Sequence, residues 1–248
     1  MTAEACAALV QRADPDRFAA LMAAPAADRP VLAVLYAFNL EVARAPWASK
    51  EPMIAEMRLQ WWRDVVEAEA QAPMAPHEVA SPLGVLIRTR ALPLDVLDAM
   101  IAARRWDIYR DPHEDAAALW SYLEDTGGGL MVAASCALGG QDDRAARDLG
   151  AALALANYLR AVPQLEDLGR IPLVDGRPAA VADLARQGLQ RLRAGRGVPK
   201  GAALAAWLAR PVLEMVVADP GRVAAGALQV PEFTRRRRLL WQALTGRL

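Results

Sequence analysis

Apolar residues recur along this chain with a helical period. They lie three or four positions apart through most of the sequence, and no run alternates strictly between apolar and polar residues as a half-buried strand does. Short groups of proline, glycine and aspartate separate the periodic segments. The pattern predicts an all-α protein with helices at residues 3–12, 16–23, 29–44, 51–71, 78–90, 94–109, 114–137, 142–161, 179–193, 201–217 and 232–246.

Two of the predicted helices are apolar on every side. Residues 31–38 and 149–159 contain no charged side chain, which is typical of central helices surrounded by other helices. Pro163 is predicted to end the second one. Polar residues close both helices, namely Asn39, Glu41 and Arg44 in the first and Asn157 and Arg160 in the second.

Polar groups at the ends of buried helices are costly unless they have partners. Two interpretations are open. In one, Glu41 and Arg44 pair across a helical turn and the two asparagines cap backbone carbonyls. In the other, the two helix ends face a shared polar cavity.

A third helix also combines apolar and charged residues on one face. Arg58 lies one turn from Ile54 and one turn from Trp62. Such an arginine extends to solvent, stacks on an indole ring or pairs with an anion. Gln60 and Asp64 continue the polar side of the same helix.

Composition supports the helical pattern and excludes several functions. Alanine, the best helix former, provides 54 of the 248 residues, whereas β-branched isoleucine provides five. The 29 basic and 29 acidic residues cancel, so the positive field that nonspecific nucleic-acid binding needs is missing. The two cysteines are far apart and the histidines number only two, so the common zinc-binding sets are not available.

Charge and hydropathy also predict where the protein acts. The N-terminal residues have no basic start followed by a long apolar run, as a secretory signal has, and we predict no membrane-spanning helix. We therefore expect a cytoplasmic protein, peripheral to the inner membrane if its basic end rests on anionic lipid. The alternative is a last helix that packs its leucines on the core. The basic residues concerned are Arg235, Arg236, Arg237 and Arg238.

Several segments together resemble the squalene/phytoene synthase family. They are Tyr36–Phe38, Gln60–Asp64, Asp107 in its ARRWDIY context, and residues 157–171. The likeness runs over roughly residues 15–240 in the order and spacing of the family. It implies one all-α, isoprenoid synthase-like domain over residues 1–248, with its helices around a central cavity.

Enzymes of this family join two prenyl diphosphates head to head, with Mg²⁺ held by two aspartate-rich motifs. The places that correspond to those aspartates carry no carboxylate here. They hold Ala43, Arg44, Trp47, Ala161 and Leu165. The pattern is more similar to the non-enzymatic branch of the family, which includes a mitochondrial factor for complex I assembly.

The resemblance therefore predicts a non-catalytic assembly or binding factor at the inner face of an energy-transducing membrane. Respiratory-complex subunits would be its partners, and it would need no cofactor. One alternative is an active prenyltransferase that acts on prenyl diphosphates with altered metal ligands, and only then with Mg²⁺. Another is a protein that binds a prenyl lipid or a phospholipid.

The sequence offers no catalytic residue and no metal ligand with a clear role. The residues that we expect to line the cavity and bind a ligand are Asn39, Glu41, Arg44, Arg58, Gln60, Trp61, Asp64, Asp107, Asn157, Arg160 and Arg170. The glycine run 127–129 lacks the lysine and the strand of a phosphate loop. We interpret it as a place where helices approach closely.

Overall fold

Helices are the regular elements of this protein in the computed structural model, which describes residues 2–69, 71 and 76–247. None of those residues lies in a strand, and the predicted all-α class is confirmed. The helices are α1 (Ala3–Ala13), α2 (Pro15–Ala23), α3 (Arg29–Arg44), α4 (Pro52–Glu69), α5 (Ala80–Arg90), α6 (Leu94–Ala103), α7 (Ala116–Leu123), α8 (Gly129–Ala137), α9 (Asp143–Asp167), α10 (Pro178–Ala194), α11 (Lys200–Ala203), α12 (Ala209–Ala218), α13 (Gly221–Ala224) and α14 (Glu232–Thr245).

Helices α3 and α9 form the centre of the protein, as their apolar sequences predict. Every residue from Val31 to Phe38 is buried in α3. Helix α9 is 25 residues long and packs against α8, α10, α12 and α13. Helix α3 packs against α1, α2, α5 and α8. A helix that contacts neighbours all around its circumference has no face left for charged side chains, which explains the uncharged stretches.

Helix α9 continues through Pro163, so the prediction that this proline ends the helix is wrong. An internal proline removes one backbone hydrogen bond, but the turn after it is closed by other bonds. The N–H of Arg170 donates to the carbonyl of Leu165 at 3.0 Å, and Gly169 adopts a left-handed φ of 76°. Glu166 and Asp167 therefore belong to α9 instead of following a break.

The segment predicted as one helix over 201–217 is divided in two. Helix α11 passes into a 3₁₀ turn, Leu204–Ala206, and α12 begins at Ala209. Pro211 lies in the first turn of α12, where its missing N–H costs nothing. By length and composition, Lys200–Ala218 is apolar enough to cross a membrane, a candidate that we did not predict. In this structure, 61% of its most apolar window is buried inside the protein.

Smaller differences concern helix ends. The helix predicted over 94–109 ends at Ala103 and continues as a 3₁₀ turn, Arg104–Asp107. The helix predicted over 114–137 begins later, at Ala116, because the Asp115 side chain caps it by accepting from the N–H of Ala118 at 2.8 Å. It also contains a π turn between α7 and α8, Glu124–Gly128. Residue 70 of the predicted helix 51–71 lies outside the described residues.

The glycine run allows the π turn to lie directly against α9. A Cβ atom on Gly127 would come within 2.5 Å of the Cβ of Ala154 and 2.8 Å of the carbonyl oxygen of Gly150. Backbone therefore meets backbone at this crossing, and only glycine fits. The close approach fixes the distance between the α7–α8 line and α9, which form two walls of the cavity described next.

Candidate functional site

A cavity of about 330 Å³ lies between α3, the α7–α8 line and α9. Its wall is mostly apolar, with side chains from all of these elements. The larger ones are Leu40, Leu123, Leu130, Met131, Leu153 and Leu165, and the smaller ones are Ala43, Gly127, Ala134, Ala154 and Ala161. An apolar cavity with few polar groups suits a small apolar ligand.

Asp14, Arg17 and Tyr36 provide the polar part of one wall. Asp14 caps α2 by accepting from the N–H of Arg17 at 2.9 Å, and its other oxygen pairs with the Arg17 guanidinium at 3.2 Å. That guanidinium lies 5.4 Å from the centre of the Tyr36 ring. Burial raises the pKa of Tyr36 to about 12, so its hydroxyl is a neutral hydrogen-bonding group.

The two asparagines that close the central helices also line this cavity. Asn39 comes from the last turns of α3, and Asn157 comes from α9 and is open to solvent. These two amides therefore face one shared cavity, as the second interpretation of the helix ends predicts. Whether they bind a ligand stays a prediction.

Arg104, Asp107 and Tyr122 form a group that we call the Asp107 cluster, in which Asp107 is buried and the other two side chains are partly buried. The Tyr122 hydroxyl donates to Asp107 at 3.0 Å and accepts from Arg104 at 2.8 Å, and Arg104 pairs with Asp107 at 3.2 Å. Burial raises the pKa of Tyr122 well above its ordinary value, so the hydroxyl keeps its proton. Arg104 and Tyr122 line the cavity, and Asp107 lies behind them and holds both in place.

An aromatic layer backs the Asp107 cluster. The Trp106 and His113 rings stack in parallel with their centres 4.0 Å apart, and the Tyr122 ring lies 5.5 Å from His113. Burial lowers the pKa of His113 to about 4, so the imidazole is neutral near pH 7. His113 is buried, and the sequence gives no sign of this burial.

Arg170 lies beside this layer and is buried. Its guanidinium donates to the carbonyl of Tyr109 at 3.1 Å and also to the carbonyls of Trp106 and Asp107. The Trp47 ring covers it at 4.7 Å. Because its donors are directed at backbone carbonyls, Arg170 fixes the 3₁₀ turn that carries Asp107, and it does not line the cavity as we predicted.

Four other predicted residues, Glu41, Arg44, Arg58 and Trp61, share a separate surface pocket of about 280 Å³. We call it the outer pocket, and it is lined by Glu41, Arg44, Ala45, Ala48, Arg58, Trp61, Trp62 and His77. The prediction of one shared cavity is wrong for this group. Residues 40 and 43 of α3 face the cavity, whereas Glu41 and Arg44 each follow one of them and lie about 100° further around the helix. Arg58 extends to solvent there. Among the residues that the structure describes, no ion pair joins Glu41 to either arginine.

The remaining predicted residues lie outside the cavity too. Gln60 donates to the carboxylate of Asp64 at 2.8 Å on the exposed side of α4, one helical turn apart. Arg160 pairs with Asp16 at 3.2 Å, which ties α9 to α2. Neither Arg160 nor any residue of α4 is among the described residues that line the cavity.

Three places where the resemblance expects aspartates lie in the cavity wall, and they hold Ala43, Ala161 and Leu165. Arg44 lies in the outer pocket, and Trp47 covers Arg170. Asp14 is the single carboxylate among the described residues that line the cavity. In the described part of the chain, no three histidine, cysteine, aspartate or glutamate side chains are grouped closely enough to hold a metal ion.

Sequence reasoning missed Arg17, Arg104 and Tyr122, which supply most of the polarity of the cavity. The one usable signal was the spacing of Arg104 and Asp107, three residues apart in a helical stretch. Arg17 gave none, because its partner Asp14 resembles any helix-capping residue.

Comparison with known proteins places these features in a family. A model of the squalene/phytoene synthase family matches residues 10–175. Among curated proteins, NADH dehydrogenase (ubiquinone) complex I, assembly factor 6 of Mus musculus is 28% identical over 162 residues, which cover 64% of this chain and 48% of the relative. The chain thus spans about half the length of the curated relatives it matches.

Solved structures show the same architecture. A dehydrosqualene synthase in complex with ligand has a TM-score of 0.78 at 16% identity, covering 95% of this chain and 93% of that one. The squalene synthase HpnC from Alicyclobacillus acidocaldarius has a TM-score of 0.74 at 20% identity, with 90% and 94% covered. At such identities the likeness concerns the fold, and it confirms the predicted isoprenoid synthase-like arrangement of helices.

Proposed function

Because this chain belongs to the squalene/phytoene synthase family, we propose that it is a non-catalytic member of that family. It acts as an assembly or binding factor for respiratory-complex subunits at the inner face of an energy-transducing membrane. The observation that carries the proposal is the cavity wall, where Ala43, Ala161 and Leu165 replace the expected carboxylates.

The donor set of the cavity does not fit Mg²⁺. This hard cation takes oxygen ligands in near-octahedral geometry and is held by carboxylates when it bridges a diphosphate. Asp14 is the one carboxylate among the described lining residues, and it already caps α2 and pairs with Arg17. Methyl and isobutyl groups at the expected ligand positions cannot replace the missing oxygens. We therefore derive no reaction step through a metal.

The alternative of an active enzyme with new metal ligands has little support. Glu41 lies in the outer pocket, and Asp107 is buried behind Arg104 and Tyr122. These two carboxylates belong to different sites and do not converge on the cavity. Arg44 beside Glu41 would repel a cation there.

The assembly role is supported by the relatives, whose name is that of a complex I assembly factor. The match to the family model, residues 10–175, includes α3, α4 and all of α9, which contribute to the walls of the cavity and the outer pocket. The apolar wall of the cavity, with Asp14 as the one carboxylate among its described residues, supports a binding role for this fold.

The decisive experiment measures turnover and assembly side by side. Purified protein is incubated with Mg²⁺ and farnesyl or geranylgeranyl diphosphate, and squalene, phytoene and released diphosphate are quantified beside an active squalene synthase as the positive control. We expect no product above that of heat-denatured protein. Product formation by the intact protein would overturn the non-catalytic assignment.

Assembly is tested by deleting the gene in the source organism. Native gel electrophoresis with NADH dehydrogenase staining should show loss of the assembled complex, restored by the wild-type gene. A normal amount of the complex in the deletion strain contradicts the assembly role and leaves the turnover result standing by itself.

The cavity favours a second candidate function, retention of a prenyl or other lipid chain. Its wall is apolar, and Arg17 and Arg104 supply two cationic groups for an anionic or polar head. Native mass spectrometry of the isolated protein should reveal a bound lipid. The Ala161→Trp variant, which fills the cavity from α9, should lack it, whereas Ala179→Trp at an exposed position of α10 should retain it. Wild-type protein isolated without lipid contradicts this role.

A further inference from the structure

Helix α14 exposes its apolar side chains instead of burying them. Phe233 is 76% exposed, Leu240 62%, Trp241 60% and Leu244 72%. At about 100° per residue, these four positions fall within roughly a third of the helix circumference. The expectation that the leucines of this helix pack on the core holds for Leu239 but not for these residues.

The opposite face of α14 carries polar residues that contact the protein, with Gln242 buried and Arg235 partly buried. Gln242 donates to the carbonyl of Ala203 at 3.2 Å. Arg235 pairs with Asp16 and lies 5.4 Å from the centre of the Trp207 ring. Arg235 is therefore directed inward and is not available to an external partner, contrary to its prediction as a membrane contact. The helix is held to the protein by polar contacts and presents its apolar face outward.

A basic pocket of about 490 Å³ adjoins the exposed apolar face. We call it the arginine pocket, and it is lined by Arg210, Arg237, Arg238, Trp241, Gln242 and Arg247. The Glu214 carboxylate lies 3.9 Å from the guanidinium of Arg210. Burial lowers the pKa of Arg238, Glu214 partly opposes this effect, and Arg210 and Arg237 lower the pKa further. The pocket thus gathers more positive charge than its own residues neutralise.

We propose that α14 and the arginine pocket form a docking surface for an anionic bilayer. Leu240, Trp241 and Leu244 enter the boundary between headgroups and acyl chains, and the phosphate of an anionic phospholipid binds among the arginines. Helices that lie in a membrane interface combine an apolar stripe with flanking arginines in this way. A guanidinium offers a phosphate two parallel donors, so the arginine pocket suits this headgroup. The inference deepens the membrane location in the proposed function and rests on it.

Two other occupants fit the surface less well. A second copy of the chain across a twofold axis would bring the arginine pocket close to its own duplicate, because such an interface uses the same patch on both partners. Like charges would then meet. A nucleic acid would pair with the arginines but would leave the leucines and Trp241 in water, and nucleic-acid interfaces are more polar than this face.

Vesicle flotation tests the proposal with the 248-residue chain. Phosphatidylcholine vesicles are compared with vesicles that also contain phosphatidylglycerol, and the wild type should bind only the anionic ones strongly. The Arg237→Gln/Arg238→Gln variant should bind them about 30-fold more weakly, because each basic residue contributes on the order of fivefold. The Leu240→Ser/Leu244→Ser variant should lose at least about tenfold.

Matched controls place the same changes elsewhere on the exposed surface. Arg193→Gln/Arg196→Gln on and after α10, and Val85→Ser/Leu94→Ser on α5 and α6, should bind like the wild type. Equal binding by all variants, or no preference for anionic vesicles, would overturn the proposal. It would also be overturned by a solution dimer that Leu240→Ser/Leu244→Ser dissociates, or by DNA binding that Arg237→Gln/Arg238→Gln abolishes. A negative vesicle result with loss of complex I on gene deletion refutes this surface and leaves the proposed function intact.

Discussion

The Asp107 cluster and the outer pocket contain the same kinds of side chain and differ in burial. In the Asp107 cluster, an arginine, an aspartate and a tyrosine satisfy one another away from water. In the outer pocket, Arg44 and Arg58 are open to solvent beside Glu41, and in the described part of the chain neither arginine forms an ion pair with that carboxylate. The difference shows that residue type marks a place of possible chemistry, while burial decides whether a charge supports the fold.

The energetic contrast follows from the surroundings of each charge. At 4 Å, a pair of unit charges interacts by about 1 kcal/mol in water and about 4 kcal/mol near a protein surface of effective dielectric 20. Removing one member of a buried pair leaves the other without a partner, which costs about 3–5 kcal/mol. An exposed pair contributes about 0–1 kcal/mol. The following substitutions test the contrast.

Asp107→Ala should have the largest effect. It removes the acceptor for Arg104 and Tyr122 and leaves a partly buried guanidinium without its carboxylate, so the free energy of unfolding should fall by about 3 kcal/mol, the lower end of the range for a buried pair. Urea denaturation followed by circular dichroism measures this. Asp64→Ala, on the exposed side of α4, is the matched control and should change it by less than about 0.5 kcal/mol. Equal effects at the two positions would remove the contrast.

Arg170→Lys should have the next largest effect and reduce the free energy of unfolding by about 2–4 kcal/mol. The ammonium group keeps the charge but cannot reach three backbone carbonyls in the geometry of a guanidinium, and buried acceptors lose their donors. Arg177→Lys at an exposed position is the control. If Arg170→Lys is as stable as the wild type, the arginine does not fix the turn that carries Asp107.

As the pH is lowered, protonation linked to His113 should reduce the free energy of unfolding by roughly 1–3 kcal/mol. Its pKa falls from 6.5 to about 4 on folding because of burial, so the unfolded chain binds the proton first. The contribution of His113 is therefore complete above pH 6.5 and decreases as the pH falls towards 4. Unfolding free energies of wild type and His113→Phe, measured at several pH values, give this contribution by difference. A difference that does not change with pH contradicts the assignment.

Arg44→Ala and Arg58→Ala should have the smallest effects. Both side chains are exposed in the outer pocket, and each substitution should change the unfolding free energy by less than about 0.5 kcal/mol. Thermal melting of these two variants and of Asp107→Ala compares the loss of stability at the exposed and the buried positions. A loss above 2 kcal/mol at either arginine would mean that the outer pocket supports the fold as the Asp107 cluster does.

The fold was far more predictable from the sequence than the site. Uncharged stretches in α3 and α9 identified the central helices, because full burial excludes charge along a whole segment. The phase of a helix is harder to obtain. Asn39 and Glu41 are two residues apart, yet one lines the cavity and the other the outer pocket.

Long-range partners are the other part that sequence reasoning could not supply. Arg160 meets Asp16 across 144 positions, and Arg170 meets the carbonyls of a turn more than 60 positions earlier. No local pattern records such pairings. The prediction that Pro163 ends the helix was wrong for a similar reason. Proline propensity is a local property, and the packing around α9 overrides it.

Because of the π turn at Glu124–Gly128, the side chains that line the cavity depend on how many residues the turn contains as well as on which residues they are. Side chains that line the wall from α7 to α8 repeat at every fourth position, as in Tyr122, Thr126 and Leu130. A regular α-helix would rotate such a series by about 40° at each step. The wider π turn absorbs this rotation and keeps the series on one face. Deleting one residue there would turn all of α8 by about 100° and carry Leu130 out of the wall, although every side chain of α8 would be unchanged.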